Sequence, residues 1–281
     1  MPLFKTKKAL TTALNQLDKT QQIGFVPTMG ALHEGHASLI QKATLENDIV
    51  VVSIFVNPTQ FNNREDLLKY PNTISLDVAL IYSILDSCMI FIPAVEEMYE
   101  NSVSPKSYNL GGLDTVMEGA FRANHFNGVA TIVSALLRLV KPHKAYFGEK
   151  DYQQLTIIKK LVALEDIPVT IVGCPIIREL NGLAMSSRNE QLSTDIREKA
   201  GLIFATLSAV KVKFCTQCVQ VISEWVRHIF ENEEEFTLEY FVIADVKTLK
   251  PIMSNKENKP YRAFVAVYVN GVRLIDNISL N

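Results

Sequence analysis

Two histidines three residues apart are the first residues in this chain that could do chemistry. His33 and His36 lie in the segment PTMGALHEGH (27–36), between an apolar run and a stretch with helical character. Three residues are close to one helical turn, so both imidazoles would face the same place. Gly30 and Gly35 let the backbone approach a ligand, and N–H groups at a helix start favour anions. The pattern therefore favours contact with a phosphate.

The same pair has two other interpretations. In the zinc-binding H-E-x-x-H segment the histidines are four residues apart, whereas here they are three apart and no third ligand is evident nearby. Both could also be ordinary surface or packing residues, which is the usual role of a single histidine. Spacing alone leaves these alternatives open.

Three further segments carry polar side chains in predicted loops. SIFVNPTQF (53–61) offers uncharged groups that can orient a small polar substrate, and FGEKDYQQL (147–155) and AMSSRN (184–189) add charged and hydroxyl groups suited to phosphates. The residues concerned are Asn57, Thr59, Gln60, Gly148, Lys150, Asp151, Gln154, Ser186, Ser187 and Arg188. Each taken alone could instead be a surface residue or a helix cap.

The elements that must position these segments form an alternating pattern. Apolar runs at 23–27, 49–56, 89–93, 144–148 and 169–179 are separated by helix-like stretches, among them VATIVSALLRLV (129–140), which Pro142 stops. Continuous apolar strands that alternate with helices are typical of a parallel sheet covered on both faces. The sequence predicts an α/β fold with a Rossmann-like, doubly wound parallel sheet. Ligands of such sheets bind at the carboxyl ends of the strands.

The character of the chain changes after about residue 175. Two helical stretches (193–213 and 217–230) precede runs of strand character at 239–245, 261–270 and 272–280, with Asn270 and Gly271 suited to a tight hairpin. An exposed loop is predicted at 254–259. The sequence therefore predicts a nucleotide-binding domain at 1–176 and a smaller α+β C-terminal domain at 177–281.

Composition excludes several classes of protein. The 281 residues are 48% hydrophobic and carry 28 basic and 30 acidic side chains, for a net charge of −2. Such a balance argues against a nucleic-acid-coating surface. No run reaches the roughly twenty apolar residues of a membrane-spanning helix, and we expect no signal peptide and a cytoplasmic location. The four cysteines include Cys215 and Cys218, a C-x-x-C without further zinc ligands nearby, so a metal or redox role is not favoured.

At this point the segments resemble a known family. HEGH looks like the HIGH signature of the nucleotidyltransferase superfamily, and MSSR resembles its KMSKS counterpart. PTMGALHEGH, VSIFVNPTQF, FGEKDYQQL and GLAMSSRN, in this order, are similar to the pantoate and beta-alanine ligases, with further likeness in VRLIDN (272–277). Four long motifs in register are far more specific than HEGH alone.

The resemblance implies an ATP-dependent condensation of pantoate with beta-alanine through a pantoyl adenylate. It implies a catalytic acid at His36, pantoate binding by Gln60 and Gln154, and positive charge near the phosphates from His33, His36, Lys150, Arg188 and Mg²⁺. The implied ATP contacts are Met29, Gly30, Ala31, Leu32, His33, Glu34, Gly35, His36, Gly148, Glu149, Lys150, Asp151, Ile177, Met185, Ser186, Ser187 and Arg188. Family members are commonly homodimers, which implies a homodimer here.

The sequence departs from the family pattern in three places. Asn72 and Leu76 follow KYP where the family has an arginine and an acidic residue, which leaves Asp77 as the candidate metal ligand. RPGHF appears as RANHF (122–126), which retains His125, and residues 193–262 match no motif.

Two other functions stay open on the sequence. A simple nucleotidyltransferase would act on a phosphorylated substrate, for which Gln60 and Gln154 are less suited than for a polyol, and a nucleotide sensor could keep the fold without catalysis. For the ligase, we expect the C-terminal domain to act as a lid that closes over bound ATP, with a hinge near 174–177.

Overall fold

A computed structural model describes residues 2–62, 67–68, 70–99, 102–253 and 259–281. It contains a six-stranded sheet in which every neighbouring pair of strands is parallel. The strands are β1 (Leu3–Phe4), β2 (Ile23–Thr28), β3 (Ile49–Ile54), β4 (Met89–Phe91), β5 (Lys144–Gly148) and β6 (Thr170–Cys174), in the spatial order β1-β4-β3-β2-β5-β6. The predicted doubly wound parallel sheet is confirmed. Only the two-residue β1 was not predicted.

Helices join and flank these strands. They are α1 (Lys7–Leu14), α2 (Glu34–Glu46), α3 (Ile74–Ile84), α4 (Val95–Met98), α5 (Glu118–Phe121), α6 (His125–Val140) and α7 (Tyr152–Leu164), with short 3₁₀ turns at Pro58–Gln60 and Glu149–Asp151. α6 ends as predicted: Lys141 takes a left-handed conformation and donates its N–H to Leu137 O at 2.8 Å, and Pro142 follows. Side chains of α2 and α3 pack against β2, β3 and β4, where Ile40, Val52 and Ile81 are fully or almost fully buried.

The predicted C-terminal α+β architecture is confirmed. It comprises a 3₁₀ turn (Ser187–Gln191), α8 (Thr194–Lys199), α9 (Leu202–Phe214), α10 (Val219–Glu231) and an antiparallel sheet of β7 (Phe236–Asp245), β8 (Tyr261–Val269) and β9 (Val272–Ser279). Asn270 and Gly271 both have positive φ, as the predicted hairpin requires. Apart from Lys259, the loop predicted at 254–259 lies outside the described residues.

One C-terminal helix was predicted wrongly as continuous. The stretch 193–213 is broken between α8 and α9, and Gly201 lies at the break. A Cβ on Gly201 would stand 2.6 Å from the carbonyl oxygen of Asn181, so the glycine admits a close backbone approach. Asn181 also donates from Nδ2 to Arg197 O at 2.8 Å. A contact distant in sequence thus interrupts a pattern that is locally helical.

The chain forms two compact units. The first comprises Met1–Glu149 with Gln154–Pro175, and the second Lys150–Gln153 with Ile176–Asn281. The domain boundary predicted between residues 176 and 177 lies one residue from the junction between Pro175 and Ile176. The lid role of the C-terminal domain stays a prediction. None of the helices in the described ranges is long and apolar enough to cross a membrane.

An ionic cluster in the first unit yields a pH prediction. Glu46 accepts from Lys42 Nζ at 2.7 Å, Lys144 Nζ at 3.1 Å and Tyr146 OH at 3.0 Å, and these bonds, that of Lys42 foremost, lower the pKa of Glu46 to about 2. A depressed folded-state pKa stabilises the fold above the unfolded value, roughly 4.3, and this contribution disappears as pH falls toward 2.

We therefore expect Glu46→Gln to be less stable than the wild type at pH 7 and to approach it near pH 2 to 3. Urea unfolding at both pH values measures this difference, with the exposed glutamate Glu96, as Glu96→Gln, serving as the control. A stability difference that does not change with pH would contradict the assignment.

Candidate functional site

The sheet order locates the crevice in which a ligand would bind. From β2 the chain moves to β3 and β4 on one side, whereas β5 lies on the other side of β2 and leads to β6. Doubly wound sheets bind ligands where the strand order reverses, outside the carboxyl ends of the two strands concerned. The loop after β2 holds the two histidines, and the loop after β5 holds Gly148 to Asp151. Two of the sequence-predicted segments thus leave the sheet at this reversal point.

The loop between β2 and α2 is held by two side chains. Thr28 donates from Oγ1 to Ser53 O at 2.8 Å and accepts from the N–H of Gly30 at 3.3 Å. Asp77 of α3 accepts the N–H of Ala31 at 3.0 Å and that of Leu32 at 2.8 Å. The loop carries positive φ at Gly30 and Ala31, and these bonds stabilise that conformation.

The geometry argues against Asp77 as a metal ligand. Both of its carboxylate oxygens already accept backbone N–H groups, and Thr73 Oγ1 adds a third donor at 3.1 Å from Oδ1. Leu76, beside it, is exposed and cannot coordinate a cation. In the described part of the chain, no three histidine, cysteine, aspartate or glutamate side chains are grouped so as to hold a metal. These residues do not fit a protein-bound Mg²⁺.

The side chains of His33 and His36 cap the first turn of α2. His33 is the N-cap, and its Nδ1 accepts the N–H of Gly35 at 3.1 Å, while His36 Nδ1 accepts the N–H of His33 at 3.4 Å. The two ring centroids lie 4.2 Å apart. Because Nδ1 accepts a hydrogen bond in each ring, the N–H donor of each ring is Nε2. The pair therefore offers two N–H donors at a helix N-terminus, and positive charge on the two histidines stays a prediction.

A polar network surrounds Gln60, which is 8% exposed. Its Oε1 accepts from Asn57 Nδ2 at 3.1 Å, and its Nε2 lies 2.9 Å from Met29 Sδ in the β2–α2 loop. Its main-chain oxygen lies 2.7 Å from His125 Nδ1. The structure therefore brings the predicted pantoate-binding glutamine against the first residue of the predicted ATP-binding loop.

Sequence reasoning missed Tyr99 in this network. Its hydroxyl donates to Asn57 Oδ1 at 2.6 Å and lies 3.0 Å from Thr59 Oγ1. Burial raises the pKa of Tyr99 above its ordinary value of 10, so the phenol stays protonated and can donate. Tyr99 follows α4, far along the chain from Asn57, and no local pattern in the sequence marks it.

The loop after β5 is a 3₁₀ turn at Glu149–Asp151, from which α7 continues. Lys150 has a 20% exposed side chain whose Nζ lies 3.8 Å from Asp151 Oδ1. Gln154 is partly exposed, whereas its neighbour Gln153 is buried. Lys150 and Gln154 can therefore both be reached by a ligand, but they belong to different units.

The segment that carries Met185 to Arg188 is a narrow hairpin within the second unit. Met185 donates its N–H to Ile177 O at 3.0 Å, and Arg178 and Ala184 form an antiparallel bridge. Ser186 then caps the 3₁₀ turn, because its Oγ accepts the N–H of Arg188 at 3.3 Å. Ile177 and Met185 to Arg188 are all partly exposed. Their roles stay predictions.

Two β9 residues from the VRLIDN motif connect these parts of the second unit. Asp276 pairs with Arg178 through bonds of 2.6 and 3.0 Å, and Asn277 Nδ2 donates to the main-chain oxygen of Lys150 at 2.8 Å. Burial raises the pKa of the Asp276 carboxyl, and the Arg178 guanidinium acts in the opposite direction. The motif therefore positions the neighbours of predicted site residues, a role that its sequence did not reveal.

Comparisons with known proteins show which family this chain is similar to. The family model described as pantoate-beta-alanine ligase matches residues 2–279. The pantothenate synthetase of Flavobacterium psychrophilum is 50% identical over 281 residues, which is 100% of both chains. A crystal structure of the Thermus thermophilus pantothenate synthetase superposes with a TM-score of 0.91 at 39% identity, covering 100% of this chain and 99% of that one.

A second solved structure contains ligands. The pantoate-beta-alanine ligase of Francisella tularensis, complexed with beta-gamma ATP and beta-alanine, is 38% identical with a TM-score of 0.83 and covers 100% of this chain and 98% of that one. Family model, curated relative and solved structures all span essentially the whole chain, motifs and C-terminal sheet included. The chain belongs to the pantoate-beta-alanine ligase family.

Proposed function

We propose that this chain condenses pantoate with beta-alanine at the expense of ATP, forming pantothenate, AMP and pyrophosphate. The observation that carries the proposal is the contact of the Gln60 amide with Met29, where the β2–α2 loop leaves the reversal point of the sheet. The contact supports the proposal because the Gln60 amide suits a polar acid and the β2–α2 loop suits phosphates. The family membership and the relative complexed with beta-gamma ATP and beta-alanine support it.

In the first step a carboxylate oxygen of pantoate attacks the α-phosphorus of ATP, and the bond to pyrophosphate breaks. Attack joins two anions, so catalysis requires positioning and stabilisation of phosphate charge. The Nε2–H groups of His33 and His36 and the N-terminus of α2 would donate to phosphate oxygens. Lys150 and Arg188 would supply full positive charges. Gln60 and Gln154 would hold pantoate.

In the second step the neutral amine of beta-alanine attacks the acyl carbon of the adenylate. The carbon–oxygen bond to AMP breaks, an amide forms, and the amine gives up one proton. No covalent bond to the protein is needed, so this chain's residues act by binding and orientation. Mg²⁺ accompanying ATP stays a prediction, with the nucleotide phosphates rather than protein carboxylates as its proposed ligands.

Exchange of labelled pyrophosphate into ATP tests the proposal directly. We expect exchange that requires pantoate and proceeds without beta-alanine, because the adenylate forms before the amine is used. Exchange supported only by a phosphorylated substrate would indicate a simple nucleotidyltransferase. Absence of exchange combined with tight ATP binding would indicate a nucleotide sensor.

The proposal has three further parts: the second unit acts as a lid, the protein is located in the cytoplasm, and it forms a homodimer. Contacts of Ser186, Ser187 and Arg188 with phosphates would drive closure, since a ligand shifts an equilibrium only through contacts that differ between the states. A distance label on each unit should report a shorter separation with a non-hydrolysable ATP analogue, and less shortening in Arg188→Ala. An unchanged distance in the wild type would contradict the lid role. Sedimentation at several protein concentrations tests whether the chain forms a dimer.

A further inference from the structure

The amide of Asn57 has only one orientation that satisfies its neighbours. Its Nδ2 lies 3.1 Å from the main-chain oxygen of Gly128, which can only accept, and its Oδ1 lies 2.6 Å from Tyr99 OH and 3.0 Å from Thr59 Oγ1, both of which can donate. Rotating the amide by half a turn would set two oxygens against each other. Asn57 is 1% exposed, so water cannot relieve such a conflict.

This orientation fixes the amide of Gln60 in turn. Because Asn57 presents Nδ2 to Gln60, at 3.1 Å, the acceptor Oε1 of Gln60 must face Asn57. The donor Nε2 then faces the β2–α2 loop, 2.9 Å from Met29 Sδ. Gln60 therefore offers an N–H group, and not an oxygen, on the side of the candidate site.

The main chain of Gln60 is fixed as well. Arg122 Nη1, which can only donate, lies 3.2 Å from His125 Nε2. His125 Nε2 is therefore the acceptor and carries no proton. The ring proton is then on Nδ1, which donates to Gln60 O at 2.7 Å. Glu118, which is 6% exposed, places its carboxylate 3.8 Å from Arg122. The Gln60 amide is thus held by Asn57, the N-cap of the same turn, and the main-chain oxygen of Gln60 is held by His125.

We propose that Tyr99 is a positioning residue that acts through Asn57. It fixes the orientation of the Gln60 amide so that the N–H group, and not the oxygen, faces the candidate site, which then recognises an oxygen acceptor of the acid substrate. The inference rests on the proposed function. The ligand class is a carboxylate or hydroxyl oxygen of a small hydroxy acid, received by Gln60 Nε2. A group that can only donate is rejected, since Gln60 Oε1 is already used by Asn57.

The test is steady-state kinetics of Asn57→Asp. A carboxylate cannot donate, so Gln60 must turn its Nε2 toward residue 57 and present its oxygen to the substrate. We expect the KM for pantoate to rise about tenfold to a hundredfold, with the KM for ATP changed less than about twofold. Tyr99→Phe should show the same selectivity with a smaller effect, because Thr59 still donates to Asn57.

A double-mutant cycle separates this role from a merely structural one. If Asn57 acts through Gln60, adding Asn57→Asp to Gln60→Ala should raise the KM for pantoate no further than Gln60→Ala alone. Additive effects, or equal damage to the KM values of pantoate and ATP, overturn the proposal. Tyr82→Phe, which alters another tyrosine with a buried hydroxyl, is the control expected to match wild type. A wild type without pantoate-dependent exchange would refute the proposed function instead.

Discussion

Exchange of pyrophosphate into ATP is expected to fall by roughly two to four powers of ten, about 3 to 5 kcal/mol, in Lys150→Ala. The 3₁₀ turn that follows β5 presents Lys150, and Asn277 holds its main-chain oxygen at 2.8 Å. Lys150 and Arg188 are the proposed sources of full positive charge. Removing one of the two cations weakens the stabilisation of the negative charge that develops on the phosphates. Water or a neutral donor compensates poorly for that loss.

The measurement is pantoate-dependent exchange at saturating ATP and pantoate. Lys159→Ala is the matched control, because Lys159 is an exposed lysine of α7, the helix that continues from the turn carrying Lys150. Lys150→Arg should recover part of the lost rate if charge is what matters, although the guanidinium places that charge differently. Near-normal exchange in Lys150→Ala would remove Lys150 from the site.

The free energy of unfolding of Asp276→Ala is expected to be about 3 to 5 kcal/mol lower than that of the wild type. Asp276 is 4% exposed and binds Arg178 through both oxygens, at 2.6 and 3.0 Å. The guanidinium also lies 3.8 Å from the ring centroid of Phe204. Removal of the carboxylate leaves the Arg178 guanidinium, whose side chain is only 17% exposed, without its counter-ion, and that is what makes the loss large.

Denaturant unfolding, followed in parallel with exchange activity, measures this effect. Arg178 begins the hairpin that carries Met185, so exchange should also decline where the protein is still folded. Lys199→Ala removes an ion pair with Glu235 in which the lysine is largely exposed, and we expect it to change stability little. A loss below about 1 kcal/mol for Asp276→Ala would show that the pair contributes nothing beyond a surface ion pair.

The amino-acid sequence by itself determined the sheet and the places where chemistry could occur. Apolar runs such as IGFVP and IVVVSIFV form β2 and β3 because strands buried on both faces need no polar alternation. Polar residues directly after such runs must lie at the carboxyl edge of a parallel sheet, which is why the His33 and Gln60 segments could be assigned to a site in advance. Asn270 and Gly271 likewise determined their turn through local conformational preference.

Tertiary structure alone decided which side chains orient those residues. Tyr99 and Asn57 are 42 positions apart, and Arg178 and Asp276 are 98 positions apart. Neither pair leaves a periodic or local signal, because each forms only when separate elements pack together. The same reason explains the break at Gly201, where Asn181 approaches the backbone. It also explains why Asp77 binds the N–H groups of Ala31 and Leu32 rather than a metal ion. Local patterns specify elements, whereas hydrogen-bond partners distant in sequence depend on how those elements pack.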